Sequence, residues 1–422
     1  MLQKNINILK LFEQIFAVLA LFDLSKAVTP LLISGGASEG DGVDQLSIDF
    51  SLNAKLSLLV MAITCILLLL RWKKVLVTIY KNPWIWLLIT ILYLSFFWSL
   101  LPDQSLRTSV YATGSTLFGL YLATRYSLKE QMRLFAWAFG LMILLSIVFA
   151  VALPKYGLMG GVWEGAWRGV FTHKNQFGLI VVLAGIIFLL QALRGDKFAW
   201  LFYLLLAACV GTAILSRSTT TLGNLGLMLV LCIIYRVLRW RYEMMISALL
   251  LGAIIGIAGI LLFIGYVESD ALFVAVGKDS TFSGRTLIWD AVITAIQSRP
   301  WLGYGLAAFW NGIEGPSGVV QLSVGAQVAY AHNGFLDICL SIGLVGLSIF
   351  ILGFFNTLVK SLGLLRQTNE PEGFFPLVFL TYILLSNISE GTIATMDNSF
   401  WAIYSAITFS LIIAKENKYI LS

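Results

Sequence analysis

The stretch "RGVFTHKNQFG", Arg168 to Gly178, gathers an arginine, a histidine, a lysine and an asparagine between two long apolar runs. The chain has 2 histidines, and the second, in "AYAHNGFLD", also precedes an asparagine at the mouth of an apolar run. Histidine is the side chain best suited to moving a proton near neutral pH. Arginine offers a planar fork that matches the oxygens of carboxylate and phosphate. Candidate chemistry therefore concentrates at Arg168, His173, Lys174 and Asn175, and at His332 with Asn333. Two further arginines stand at the edges of apolar segments, Arg217 in "LSRSTT" and Arg285 in "SGRTLIWD".

The elements that carry these residues are set by composition. Hydrophobic residues make up 59% of the 422 residues and charged residues 12%, with mean hydropathy +0.88; a soluble domain carries about 25% charged residues. A hydrocarbon core roughly 30 Å thick takes about 20 apolar residues per helical crossing. Runs of that length recur through the chain and predict an all-α polytopic membrane protein of about twelve spans. These lie near 8–30, 54–70, 83–101, 107–124, 132–152, 176–193, 198–216, 219–238, 244–266, 334–357, 374–388 and 396–414. The domain organisation expected is nine spans over 1–266, an outer segment over 267–333, and three spans over 334–422.

The first apolar run is interrupted by Asp23 and Lys26 and is too long for a secretory signal, so it reads as an uncleaved helix. Alternating the loops puts 18 of the 28 lysines and arginines on one face. By the positive-inside rule that face is cytoplasmic, and both histidines face outward. The net charge of +6 is thus largely topology and does not point to nucleic acid. Cys65, Cys209, Cys232 and Cys339 fall inside spans without metal-like spacing and read as packing residues.

The outer segment is the one stretch large enough to be more than a loop. A helix is predicted from an N-cap at Ser283 to the residue before Pro300. Leu287, Ala291 and Ala295 repeat at spacing four, as do Ile288, Val292 and Ile296, giving a wide apolar face suited to roofing a cavity or resting on the membrane. "GYG" and the Gly/Ser/Val-rich "NGIEGPSGVVQLSVGAQVAYAHN" follow, with turn chemistry and little helical periodicity.

"GRTLIWDAVITAIQSRPWLGYGLAAFW" followed by "AHNGFLDICLSIGLVG" resembles the paired signature of the O-antigen ligase and O-antigen or exopolysaccharide polymerase superfamily, bacterial polytopic membrane glycosyltransferases. "RGVFTHKNQFG" is similar to a loop of its polymerase-like and ligase-like members. Gly334 departs from the pattern, since relatives often carry Ser, Thr or Ala there. The resemblance implies inverting, metal-independent transfer, with no cofactor, on the outer (periplasmic) face of the bacterial inner membrane. The donor would be a glycan on undecaprenyl diphosphate and the acceptor a hydroxyl of a glycan, of lipid A core or of a protein.

Under that reading Arg285 and His332 are the catalytic candidates, Arg285 facing the diphosphate and His332 acting as general base. Arg168, Arg217 and Lys174 are candidates for the donor diphosphate, with His173, Asn175 and Asn333 in support. No carboxylate cluster of the kind that holds Mg²⁺ stands in the sequence. Each residue also has a plainer reading: Arg285 as a helix-surface arginine, His332 as a satisfied structural histidine, Arg217 as a snorkelling side chain, and Arg168, His173 and Lys174 as interface residues. Trp163 and Trp167 read as aromatic-belt residues, with sugar stacking the lesser reading, and Glu390 and Asp397, in the last outer loop, as solvated carboxylates ahead of groups that bind acceptor sugar hydroxyls. Two rivals of other classes are a flippase for lipid-linked sugars and a polytopic solute transporter. Both would place ionisable groups along a central path, whereas most spans here are free of charge at their centres.

Overall fold

A computed structural model describes residues 2–36, 48–235, 243–244, 285–325, 328–368 and 370–421. Among these residues the secondary structure is helical, with one isolated bridge between Leu158 and Trp167. The helices are α1 (Leu2–Leu24), α2 (Thr29–Ile33), α3 (Ser51–Leu69), α4 (Trp72–Tyr80), α5 (Pro83–Leu94), α6 (Pro102–Arg125), α7 (Leu128–Ala152) and α8 (Pro154–Gly157). They continue as α9 (Lys174–Ala192), α10 (Ala199–Leu215), α11 (Thr219–Ile234), α12 (Arg285–Ser298), α13 (Gly318–Val324), α14 (Gly334–Leu365), α15 (Phe375–Ser389) and α16 (Ser399–Leu421). A helix lies at every expected span except the one over 244–266, of which all but Met244 is outside the described residues. Among the described residues five helices are long and apolar enough to cross a membrane alone, or six if the α4–α5 pair, bent by 85°, forms one crossing. The protein is a multi-pass membrane protein.

Local chemistry starts these helices where the sequence allows it. Ser127 and Glu130 close a capping box on α7: the Glu130 N–H donates to the Ser127 hydroxyl at 3.3 Å, and the Ser127 N–H donates to the Glu130 carboxylate at 3.0 Å. Proline stands in the first turn of α5 and of α6, where its missing N–H leaves no bond unmade. Small residues then let helices approach. A Cβ on Gly119 of α6 would lie 2.6 Å from the Ala402 carbonyl of α16. Beside it the buried Trp401 indole donates to Thr116 Oγ1 at 2.8 Å. Glu13, fully buried on α1, accepts from Arg71 and from Arg125 and so ties three stretches of chain at one end of the bundle.

The element that positions the outer residues is a break in α14. Gly343 has φ +67, and a Cβ there would lie 2.1 Å from the Trp301 carbonyl oxygen. The "PWLGYG" turn inserts at this break and satisfies the interrupted ladder. Leu344 and Val345 N–H groups donate to the Pro300 and Trp301 carbonyls at 2.8 and 3.2 Å, while Tyr304 and Gly305 N–H groups donate to Leu340 and Ser341 carbonyls at 2.7 and 3.0 Å. Non-helical backbone deep in such a bundle persists only where protein supplies these partners.

The turn also sets α12 over the start of α14. The predicted outer helix forms at Arg285–Ser298, while its expected cap, Ser283, lies outside the described residues. Of its two apolar rows, Ile288 and Val292 are buried against Tyr304, Phe309, Val320 and Leu340, whereas Leu287 is 52% exposed. The stretch after "GYG", expected to lack helix, contains the two-turn α13, whose Val320 joins this second core. At Gly334 a side chain has no room: a Cβ there would lie 2.0 Å from Asn387 Oδ1. That amide is held by Ile383, Thr392 and Ile393, so it cannot move aside.

Candidate active site

Glu390, expected to be solvated, is instead 5% exposed and serves as a hub. It directly follows the last residue of α15. Its Oε1 accepts from Asn175 Nδ2 at 3.0 Å and from Arg285 Nη2 at 3.2 Å. Its Oε2 accepts from the Tyr330 hydroxyl at 3.1 Å and lies 3.7 Å from His332 Nδ1. Asn175 is in the first turn of α9, Arg285 opens α12, and His332 stands just before α14. The positive ends of α9, α12 and α14 therefore join the arginine around one carboxylate. Such a setting stabilises negative charge.

The turn bearing His332 is held tightly. His332 has φ +50, a left-handed conformation that is uncommon outside glycine and costs about 1–3 kcal/mol. Around it, Asp337 Oδ1 accepts from the Ala331 N–H at 3.1 Å and from Trp310 Nε1 at 2.9 Å, and Trp289 Nε1 donates to the Ala331 carbonyl at 2.9 Å. Asn333 Oδ1 caps α14 by accepting from Phe335 and Leu336 N–H groups at 3.1 and 3.2 Å. The imidazole lies against the Tyr330 ring, with centroids 4.1 Å apart.

The 168–175 loop is built differently. Arg168 is 1% exposed, with Nε donating to the Tyr156 carbonyl at 2.9 Å and Nη2 to the Gly36 and Lys155 carbonyls at 2.6 and 3.1 Å. Burial pulls this guanidinium down to about 10. His173 caps α9, its Nδ1 accepting from the Asn175 N–H at 3.2 Å. Lys174 Nζ sits 3.0 Å above the Trp163 ring, a cation–π contact that gives this tryptophan more to do than line an interface. Arg217, exposed and with φ +49, donates to the Glu164 carbonyl at 3.1 Å. The hydrogen bonds of Arg168 and Arg217 thus go to backbone carbonyls, and that of Arg285 to the Glu390 carboxylate.

Asp397 is also not solvated: it pairs with Lys26 at 3.3 Å and accepts from Thr395. Tyr330 and Asp337 escaped sequence reasoning, and Glu390 was singled out without its partners. Asp337 lies inside the quoted "AHNGFLD", and a carboxylate one turn into an apolar helix was the available signal. Among the described residues no three His, Cys, Asp or Glu side chains converge as metal ligands.

With this geometry in place, comparison with known proteins is informative. Residues 202–351 match the family described as O-Antigen ligase. The chain is also 28% identical over 327 residues to the "Exopolysaccharide production protein ExoQ" of Rhizobium meliloti (strain 1021), covering 72% of this chain and 71% of that protein. Both findings support the O-antigen ligase and polymerase family. The O-Antigen ligase match spans Arg217, Arg285 and His332 and stops short of Glu390, which the fold alone brings to Arg285 and His332.

Proposed function

We propose that the chain is a glycosyltransferase of surface or exported polysaccharide synthesis, moving a glycan from undecaprenyl diphosphate to an acceptor hydroxyl on the outer face of the bacterial inner membrane. The observation that carries this reading is the convergence of Arg285 and His332 on Glu390. The acceptor oxygen attacks the anomeric carbon from the face opposite the diphosphate, the bond to the diphosphate breaks, and the configuration inverts. The acceptor's proton passes to His332, whose imidazolium then lies beside the Glu390 carboxylate. Arg285 exchanges Glu390 for the donor's phosphate oxygens and stabilises charge on the departing diphosphate. Lys174 and Arg217 are further cations for the donor's diphosphate. Arg168, engaged with three carbonyls, holds the loop that carries Lys174.

The test is transfer by the purified protein in bilayer discs, with donor binding measured separately and excess chelator present throughout. His332→Ala should keep donor affinity and lose about 10² to 10⁴ in turnover, the usual worth of a positioned base. Arg285→Ala should lose both, and Arg285→Lys should recover little, because a point charge does not reproduce the fork. Normal turnover in His332→Ala, or activity that returns only when Mg²⁺ is added, would overturn the reading.

A further inference from the structure

A cavity of about 420 Å³ opens beside the cluster and shares Glu390 and Tyr330 with it. Its walls come from chain segments far apart in sequence: Gln104 of α6, Gln176 of α9, Trp310 of the segment before α13, and Asp337 of α14. That size falls within the range of ligand pockets, about 300–1,000 Å³. One feature of the wall calls for a partner. Asp337 is 4% exposed and its Oδ1 is engaged by Trp310 and Ala331, yet its Oδ2 is buried with no hydrogen bond. A carboxylate oxygen left in that state is costly, and a ligand that donates a hydrogen bond removes the cost.

The chemistry of the wall selects the ligand. Asp337 and Glu390 put two carboxylates on it, and Lys26 is already paired with Asp397 at 3.3 Å. A phosphate would be repelled. A hydroxyl-rich neutral group would not: hydroxyls donate to Asp337 Oδ2, the amides of Gln104 and Gln176 offer both donors and acceptors, and Trp310 and Tyr330 supply faces of the kind that sugar rings cover.

We propose that this cavity is a glycan subsite in which a sugar hydroxyl donates to Asp337 Oδ2, holding a sugar ring beside His332. The proposal rests on the glycosyl-transfer reading for its place in a reaction, but its binding is measurable without turnover. The sugar belongs either to the acceptor or to the donor's glycan, and the experiment separates the two.

The probe is the oligosaccharide repeat unit released from the source organism's own surface polysaccharide, titrated onto the full chain in bilayer discs. Asp337→Asn keeps an oxygen for Trp310 and Ala331 but turns a donor into the cavity, and should weaken binding about tenfold or more. Ala394→Trp, on a half-buried wall position outside the His332 turn, fills the space and should abolish binding. Arg285→Ala should leave saccharide binding intact. In transfer assays a rise confined to the acceptor KM assigns the subsite to the acceptor, and one confined to the donor KM assigns it to the donor's sugar. Wild-type saccharide affinity in both Asp337→Asn and Ala394→Trp overturns the subsite, whatever becomes of the His332 and Arg285 variants. Normal turnover of those two variants overturns the transfer mechanism and leaves the subsite standing.

Discussion

Arg285 and His332 approach opposite oxygens of one buried carboxylate, Arg285 Nη2 at 3.2 Å from Glu390 Oε1 and His332 Nδ1 at 3.7 Å from Oε2. A donor's diphosphate carries the same charge sign as Glu390 and more oxygens, so it competes for the arginine while the histidine keeps its neighbour. Glu390→Gln tests this arrangement. The amide oxygen still accepts from Asn175 and the amide nitrogen donates to the Tyr330 hydroxyl, but the charge that steadies an imidazolium is gone. Turnover should fall on the order of tenfold or more, about 1.4 kcal/mol or more, with donor affinity unchanged or improved. Weaker donor binding with unchanged turnover would place Glu390 in donor recognition instead.

The break in α14 should be intolerant of a methyl group. Gly343→Ala adds a Cβ 2.1 Å from the Trp301 carbonyl in a left-handed residue, so both contact and φ are unfavourable. Loss of about 1–3 kcal/mol or failure to accumulate in the membrane is expected. Gly363→Ala, on the same helix with nothing within 4 Å of its Cβ, should be neutral or slightly stabilising. Equal thermal unfolding of the two variants in detergent would contradict the role given to the "PWLGYG" turn.

Arg168 should matter to folding more than to donor binding. Arg168→Lys keeps the charge and loses the fork that reaches the Gly36, Lys155 and Tyr156 carbonyls together. Breaking buried hydrogen bonds to a charged group costs about 1.5–3 kcal/mol each. The variant should unfold at a lower temperature while its folded fraction binds donor normally. A large affinity loss without destabilisation would return Arg168 to the diphosphate.

Topology is open to a direct check. Reporters fused after Arg241 and Ser422 should read cytoplasmic, and those at Asp44, Lys174 and Val319 outside, because 18 of 28 basic residues fall on one side. A cytoplasmic signal at Lys174 would remove both the orientation and the outer-face site.

The helices, and the membrane they imply, were legible in the sequence because hydropathy and capping act over a few turns of chain. So were the helix from Arg285 to Ser298 and the position of His332 just before the long apolar α14. Which outer arginine meets a carboxylate was not legible. Arg168, Arg217 and Arg285 look alike at span edges, and only the packed bundle gives carbonyls to two of them and Glu390 to the third. Glu390 itself looked like a loop carboxylate because its partner Asn175 is 215 residues away. Asp337 shows why nearness in sequence was not enough either. It lies five residues after His332, yet one of its oxygens is tied to Trp310, which the chain beyond the "PWLGYG" turn brings back to α14, and the other is buried without a hydrogen bond. Hydrophobicity decides which segments enter the membrane. Close packing among distant segments decides which polar groups, once there, have partners and which await a ligand.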